Sequence, residues 1–487
     1  MDQAKNHKRI FLIGWDNTRQ AFIRAALELQ NRGYEISYCV IRDKNELAKN
    51  KLQFKRTQFH SHDDAINLIP PPEIDEAEFS PPGEDLIRNL YEIESILATM
   101  KKFYKKSSSM LAKKHLFHRL IRYWHGVIKK FNPEIIFFSG YPHTVFDYTI
   151  YSLAKFLKIK TILFANTGIA GRYLLISDFK ESCVALREEY LKNKDKQFKV
   201  EDLSEDMRQF YKWHLDYTVG EVQPELKQAL KNFTGANKLL LKSKVLIKSF
   251  YDLSFFKKIA GYVAKEIGSN LKKEYEALQA APDYDKKYVY LPLSYQPECS
   301  SSPLGGVFVD QILMVKILSY CLPKDWLIYV KEHPMQWAIG NLAYFDFRYK
   351  GYYEEIAKIK NVKIVPIGTN SHKLIVNSKA VGTVSGTAGM EALWRLKPVL
   401  LFGNITYQDC PGVFKVKNSE ACREAIEKIL LGFKISQQEI INFLVSLDRA
   451  SQLLSFEKSE KNFSKISEEV MSNNLVNAIT AEAEKVI

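Results

Sequence analysis

The feature that most constrains this chain is a repeated alternation of short, wholly apolar runs with loops of small or polar residues and then amphipathic helical stretches. Arg9–Ile13 (RIFLI) is the first run, followed by the loop GWDNT, a helical pattern over Arg19–Asn31 ended by Gly33, and a second run at Tyr34–Ile41. A strand buried on both faces reads as a continuous apolar run, so this order predicts a parallel sheet covered by helices. Ligands of such sheets gather beyond the carboxyl ends of the strands. After the proline-rich stretch Pro70–Gly83 and a basic helical region from Glu84, the alternation resumes at Pro133. It runs through the strand EIIFF, the loop SGYPHT, a helix over Phe146–Leu157 and a strand over Lys160–Phe164. Asp16, His143 and Asp147 are thereby placed on one rim.

A second series begins at Tyr288: strand YVYLPL, loop SYQPECSSSPLGG, a helix near Val309–Tyr320, strand WLIYV, then KEHP. Strand VKIVP, loop IGTNS, helix HKLIVN, strand AVGTV, the turn into helix SGTAGMEALWR and strand PVLLF complete it. The intervening stretch from Phe179 to Tyr284 is helical, charged and poor in strand signals. The expected fold class is α/β, with two Rossmann-like doubly wound domains facing a cleft and additional basic helices. The expected boundaries are 1–284 for the first domain, 285–435 for the second and 436–487 for closing helices, part of which packs back on the first domain. No solenoid-type repeat is present.

Composition excludes several classes. Of the 487 residues 46% are hydrophobic, too many for a disordered or collagen-like chain, and the length suits more than one domain. The six cysteines (Cys39, Cys183, Cys299, Cys321, Cys410, Cys422) form no C-x-x-C pair, which fits a reducing compartment rather than a disulfide framework. No leader-like core precedes Trp15, and no run approaches the roughly 18–20 apolar residues of a spanning helix. The cytoplasm is the expected location. The net charge is +14, and it is concentrated. Leu97–Lys130 holds ten Lys/Arg and no acid, and Leu226–Lys273 holds eleven Lys against Asp252 and Glu266. Interleaved with aromatics, these segments suit an anionic membrane surface, with a solvated helix face as the plain alternative.

Chemistry-bearing residues cluster in the loops of the second series. Ser385-Gly386-Thr387-Ala388-Gly389 joins a strand to a helix, so free helix N–H groups and two hydroxyls face an anion there, with Glu391 one turn on as an acceptor for sugar hydroxyls. Lys331 and His333 end a strand on one side, followed by Pro334, and supply donors to a departing phosphate. Gln296 and Glu298 lie in the first loop of this half, and Thr369, Asn370 and Ser371 in a third.

The runs LPLSYQPECSSSPLGGVFVDQ, VKEHP, PIGTNSHKLI and GTVSGTAGMEALWRLKPVLLFG, with Tyr407 after them, resemble the capsule polysaccharide biosynthesis glycosyltransferases, which include the Kdo transferases of capsule linkers. The resemblance spans about a quarter of the chain, with a looser echo in FNPEIIFFSGYPH. It implies a GT-B fold, a nucleotide sugar on the carboxyl half and a glycan or glycolipid acceptor on the amino half. It further implies that His333, Pro334, Ser385 and Thr387 contact the CMP part of a donor such as a CMP-activated ulosonic acid, Kdo or a sialic acid relative. No cofactor beyond that donor substrate is expected. The family's catalytic acid finds no single match in the amino half.

Glycosyl transfer needs a group that takes the acceptor's proton. The order of preference is Asp16, then His143, then Glu298, each with a plain alternative as a turn or cap residue. Two metal-like patterns are set aside: Asp283-Tyr284-Asp285 precedes a strand instead of ending one, and His60-Ser61-His62-Asp63-Asp64 lacks a completing cluster. A metal-independent transferase is therefore expected, with a nucleotide-sugar epimerase of the same architecture as the alternative. A nucleic-acid binder ranks last, since charge alone suggests it.

Overall fold

A computed structural model describes residues 8–16, 18–100, 109–215, 271–337, 347–456 and 466–485. Thirteen strands among them form two sheets. The first sheet contains β1 (Lys8–Trp15), β2 (Tyr34–Ile41), β3 (Gln58–Ser61), β4 (Ile135–Phe138), β5 (Lys160–Asn166) and β6 (Arg172–Ile176). The second contains β7 (Tyr288–Pro292), β8 (Leu327–Lys331), β9 (Val362–Ile364), β10 (Ala380–Thr383), β11 (Val399–Leu401) and β12 (Val413–Lys415). A last strand, β13 (Gln452–Leu453), returns to the first sheet.

Read across, the second sheet is β9-β8-β7-β10-β11-β12, and every pair is parallel. That is the doubly wound order, with its reversal between β7 and β10. The first sheet, β3-β2-β1-β4-β5-β6-β13, repeats it, reversing between β1 and β4, but β6 and β13 join antiparallel. The two Rossmann-like halves expected from the alternation are thus present. The physical basis is visible in β4, whose four residues Ile135, Ile136, Phe137 and Phe138 are all buried, because helices cover both faces of a parallel sheet.

The closing segment ties the molecule together. Helix Gln437–Ala450, started by a Ser436 hydroxyl and Glu439 carboxylate that cap each other's backbone N–H, lies against helix Val184–Asn193 of the first half. Helix Glu468–Glu484 packs on Gln20–Asn31, whose Ala21, Phe22, Ala25, Ala26 and Leu29 are buried, as expected for a return onto the first domain. Buried Arg172 of β6 anchors the return by pairing with Asp206 at 2.9 Å and with Asp448. One apolar cluster joins the halves, with Val145, Ile169 and Cys183 on one side and Leu304, Met390 and Tyr407 on the other.

The basic region reads differently in three dimensions. Helix Met110–Phe131 buries Phe117, Leu120, Ile121, Tyr123, Trp124, Val127 and Ile128. Several of its cations are met within the chain: Lys114 by Glu94 at 3.0 Å, Arg119 by Glu76 at 3.6 Å, Lys130 by Glu78 at 3.2 Å, and Arg122 by the carbonyls of Phe79 and Glu76. Lys101, Lys102, Lys105 and Lys106, and the second basic segment up to residue 270, lie outside the described residues. No described helix is long and apolar enough to cross a membrane.

The two metal-like patterns have structural duties. His60 is buried, accepting at Nδ1 from the Tyr38 hydroxyl at 2.7 Å and donating from Nε2 to the Ile69 carbonyl at 2.9 Å, and burial pushes its ring down to about 4. Asp283 and Asp285 form a turn at the entry to β7, at the opposite end of the strand from its ligand-facing loop, where Tyr329 holds the Asp283 backbone.

Candidate active site

Both sheets place their reversal points at the interface between the halves. From the first, the loop after β4 carries His143 and runs into helix Val145–Phe156. From the second, the loop after β7 carries Glu298 and Ser302. Between them lies a cavity of about 190 Å³ lined by Ile66, Thr99, Met100, His143, Thr144 and Val145 on one side and Pro297, Glu298, Cys299 and Ser302 on the other. Its lining combines the apolar Ile66, Met100, Val145 and Pro297 with hydroxyls, an imidazole and a carboxylate, the usual makeup of a small-molecule site. The Thr99 hydroxyl donates to the Ile96 carbonyl at 2.7 Å and therefore accepts from Ser302, 2.7 Å away, so a hydroxyl pair bridges the halves at the rim.

Of the three proposed bases, two line this cavity and one does not. The Asp16 carboxylate is buried and accepts at a single oxygen from both the N–H and the hydroxyl of Thr18, at 3.0 and 2.7 Å. That is an Asx turn leading into helix Gln20–Asn31, and Asp16 is not among the cavity residues. The first-ranked base is thus turned to a backbone task. His143 is exposed, and its Nδ1 lies 2.7 Å from the Tyr141 carbonyl. A carbonyl only accepts, so in the neutral ring Nδ1 carries the proton and Nε2 keeps its lone pair. Asp147, one turn into the helix, accepts from the Thr144 N–H at 2.7 Å; burial pushes its carboxyl up to about 6, with the nearby His143 opposing the shift. Glu298 is exposed and accepts from Ser300 at 3.3 Å.

The residues expected to hold a donor do not line this cavity; they lie at the end of β8, in the loops after β7 and β9, and at the turn after β10. Lys331 is buried, its ammonium donating to the Ser371 hydroxyl at 2.8 Å and to the Thr369 carbonyl. Burial pushes it down to about 8, while the Glu391 carboxylate opposes the shift. His333 accepts at Nδ1 from the Met335 N–H at 3.2 Å, so the neutral ring carries its proton on Nε2; burial lowers its pKa and keeps it neutral near pH 7. The Tyr295 ring from the loop after β7 lies over it, centroids 5.7 Å apart. Pro334 opens the short turn Pro334–Trp337.

Ser385 and Asn370 depart from the expected contact roles. The Ser385 hydroxyl donates to the Ser300 carbonyl at 2.6 Å, tying the loops after β10 and β7. The Asn370 side chain accepts from the Lys373 N–H at 3.0 Å and caps helix Ser371–Asn377. Thr387 and the half-exposed Gly386 remain at the start of helix Thr387–Trp394, where Gly386 is fixed by its N–H to Thr383 and its carbonyl to Tyr407. A side chain at Gly389 would meet the Tyr407 hydroxyl at 2.4 Å, so the glycine permits the close approach of that helix.

Gln296 also departs from its expected role. Its side chain is spent inside the protein: Nε2 donates to the Val309 carbonyl, and Oε1 accepts from Gln311 and Arg348. Arg348 and Glu332 form an ion pair at 2.7 Å with both side chains fully buried. Sequence reasoning passed over Arg348 and Thr99, while Ser302 belongs to the Ser300–Ser302 run expected along the path of a nucleotide or sugar. The Glu in KEHP was the available signal, since an acid in a buried strand end needs a cation.

Comparisons with known proteins agree with this region. Residues 308–430 match the family model described as capsule polysaccharide biosynthesis protein. No curated protein sequence matches the chain. Among solved structures, the β-Kdo 2,7 transferase of Thermosulfurimonas dismutans aligns at 15% identity over 80% of this chain and 96% of that one, with a TM-score of 0.33. A glycosyltransferase from Rickettsia africae aligns at 10% over 99% of each chain, TM-score 0.25. The UDP-GlcNAc 2-epimerase of Methanocaldococcus jannaschii aligns at 13% over 87% and 92%, TM-score 0.24. At such scores the fold rests on this chain's own strand order. Residues 308–430, which carry the loops KEHP and SGTAG, are thus similar to the capsule polysaccharide biosynthesis family.

Proposed function

We propose that the chain is a metal-independent glycosyltransferase of capsule or surface-glycan synthesis, moving a sugar from a nucleotide donor on the second half to an acceptor hydroxyl in the cavity. The observation that supports this most is the cavity between the halves: His143, whose Nε2 keeps its lone pair in the neutral ring, lines it from the first half, and the loop after β7 (Pro297, Glu298, Cys299, Ser302) lines it from the second, the half whose other strand-end loops carry the buried Lys331 and His333. A CMP-linked ulosonic acid is the favoured donor, on the resemblance of His333-Pro334 and Ser385-x-Thr387 to the CMP-contacting motifs of related transferases.

In the proposed step the acceptor oxygen bonds to the anomeric carbon as the bond from that carbon to the phosphate oxygen breaks. The hydroxyl proton passes to Nε2 of His143, and the bonding electron pair leaves on the phosphate. Lys331, the Nε2–H of His333 and the first N–H groups of helix Thr387–Trp394 stabilise that charge. Glu391 is placed to balance Lys331 and to accept from a sugar hydroxyl. His143 takes the role first assigned to Asp16 because Asp16 is engaged by Thr18, and because Glu298 lies on the donor side of the cavity. For location we propose the cytoplasm, with peripheral attachment to anionic lipid through the basic segments Leu97–Lys130 and Leu226–Lys273. The net charge of +14 and its concentration in these two segments support this.

The test is thermal melting with CMP, UDP and GDP, followed by incubation of a CMP-activated sugar with and without an acceptor glycan. Nucleotide-dependent stabilisation and acceptor-dependent CMP release are expected. Conversion of the donor's sugar without acceptor would replace transfer by epimerisation, and no response to any nucleotide would end the reading.

A further inference from the structure

The second half contains a polar network that no transfer step uses. Arg348 is fully buried, and each of its five N–H donors has an acceptor within the protein. Nε donates to Glu332 at 2.7 Å, and Nη2 to the other Glu332 oxygen at 3.2 Å and to the Ser294 carbonyl at 3.3 Å. Nη1 donates to the Phe347 carbonyl at 3.0 Å and to the Gln296 side chain. Glu332 is equally occupied, since it also accepts from the Tyr353 hydroxyl at 2.6 Å and from the backbone N–H of His333 at 2.7 Å. Gln336 completes the network by exchanging two hydrogen bonds with the Gln296 backbone, at 3.0 and 3.1 Å.

Two loops meet on this ion pair. Ser294 and Gln296 belong to the loop after β7, which goes on to Glu298 and Ser302 at the cavity. Glu332 belongs to the loop after β8, whose flanking residues are Lys331 and His333. An ion pair removed from water gains little net stability over apolar residues of equal volume, so such a pair is better placed to define geometry than to add stability. Its contacts define the spacing between the cavity wall and the donor-side histidine.

We propose that Arg348 and Glu332 are positioning residues, a strut that fixes His333 relative to the Gln296–Glu298 loop so that the leaving phosphate and the acceptor are held in register. The inference rests on the donor-site reading above. It adds that the register depends on a guanidinium fork that touches neither substrate, and that charge alone at position 348 cannot supply it fully.

The experiment compares the full chain with Arg348→Met, Arg348→Lys and the double variant Glu332→Gln/Arg348→Met. It reads melting temperature, affinity for whichever of CMP, UDP and GDP stabilises the unsubstituted protein, and slow hydrolysis of the matching nucleotide sugar. The double variant removes both buried charges and is expected to melt close to the parent while its hydrolytic turnover falls on the order of 100-fold, the scale of a misplacement of about 1 Å. Nucleotide affinity is expected to fall less than turnover, and Arg348→Lys to recover part of the loss seen in Arg348→Met. A role in stability alone would lower melting and leave turnover of the folded protein unchanged. Parent-like turnover in the double variant, or no difference between the Lys and Met variants, overturns the strut. If the unsubstituted protein responds to none of the three nucleotides, it is the donor-site reading that fails.

Discussion

The two sheets share a winding order but arrange their ligand-facing ends differently. In the second half the strand-end loops are bound to one another by buried polar contacts: Ser385 to Ser300, Lys331 to Ser371, and Arg348 to Glu332, Gln296 and Ser294. In the first half the cavity wall is Ile66, Met100 and Val145 with the hydroxyls of Thr99 and Thr144, and His143 is hydrogen-bonded to the neighbouring Tyr141 carbonyl. Such a difference suits a division of labour. A half that stabilises a phosphate must fix its donors before the charge arrives, because preorganised dipoles need no rearrangement at the moment of reaction. A half that receives a hydroxyl needs shape, an apolar floor and one basic nitrogen.

The comparison is tested most severely at His143. His143→Ala is expected to lower transfer by about 10²- to 10⁴-fold, the range for loss of a general base, while nucleotide affinity stays as it was. Equal loss of both would place His143 on the donor side and erase the division. Next in size is Lys331→Ala, expected to reduce kcat/KM by about 10²- to 10³-fold and to weaken nucleotide binding as well.

A pH dependence follows from the same lysine. Folding holds Lys331 at about 8 against an ordinary 10.5, so the folded form is uncharged between those values while an unfolded chain would be protonated. The burial of Lys331 therefore opposes folding below pH 8, and that opposition fades as pH rises toward 10.5. On the proposed function, nucleotide binding would run the other way, since the anion would need the ammonium. Affinity is expected to fall as pH rises through about 8, by at most about tenfold per pH unit, the limit for one linked proton. Calorimetry across pH 7–9 checks this, and a Lys331→Gln variant should show a flat profile. The smallest effect is expected at Asn370. Asn370→Ala should cost about 1 kcal/mol of stability through loss of a helix cap and leave nucleotide affinity unchanged, whereas a donor contact there would lower affinity.

Much of the architecture was legible residue by residue. RIFLI, YVYLPL, WLIYV and AVGTV read as strands because buried parallel strands carry apolar residues on both faces, and the helices between them declared themselves by their 3.6-residue spacing. Strands at the edges were harder. β3 (QFHS), β6 (RYLLI) and β13 (QL) are short or mixed in polarity, and their place depends on the strand they join. Within the candidate site, the sequence pointed to the strand-end loops, whereas the hydrogen bonds that each side chain makes there depend on the fold. Asp16, Gln296, Ser385 and Asn370 all have side chains suited to ligands, and the protein uses each for a turn, a network, a loop tie or a cap.

The sequence by itself determined the α/β class, the two doubly wound series and the position of the strand-end loops, because periodicity and burial are local properties of a strand or a helix. Only the tertiary structure decided which polar atoms are already engaged, that His143 and Glu298 share a cavity while Asp16 does not, and that Arg348 reaches Gln296 fifty-two residues away. A hydrogen bond is made or missed within a fraction of an ångström, and that distance is set by the packing of the whole chain.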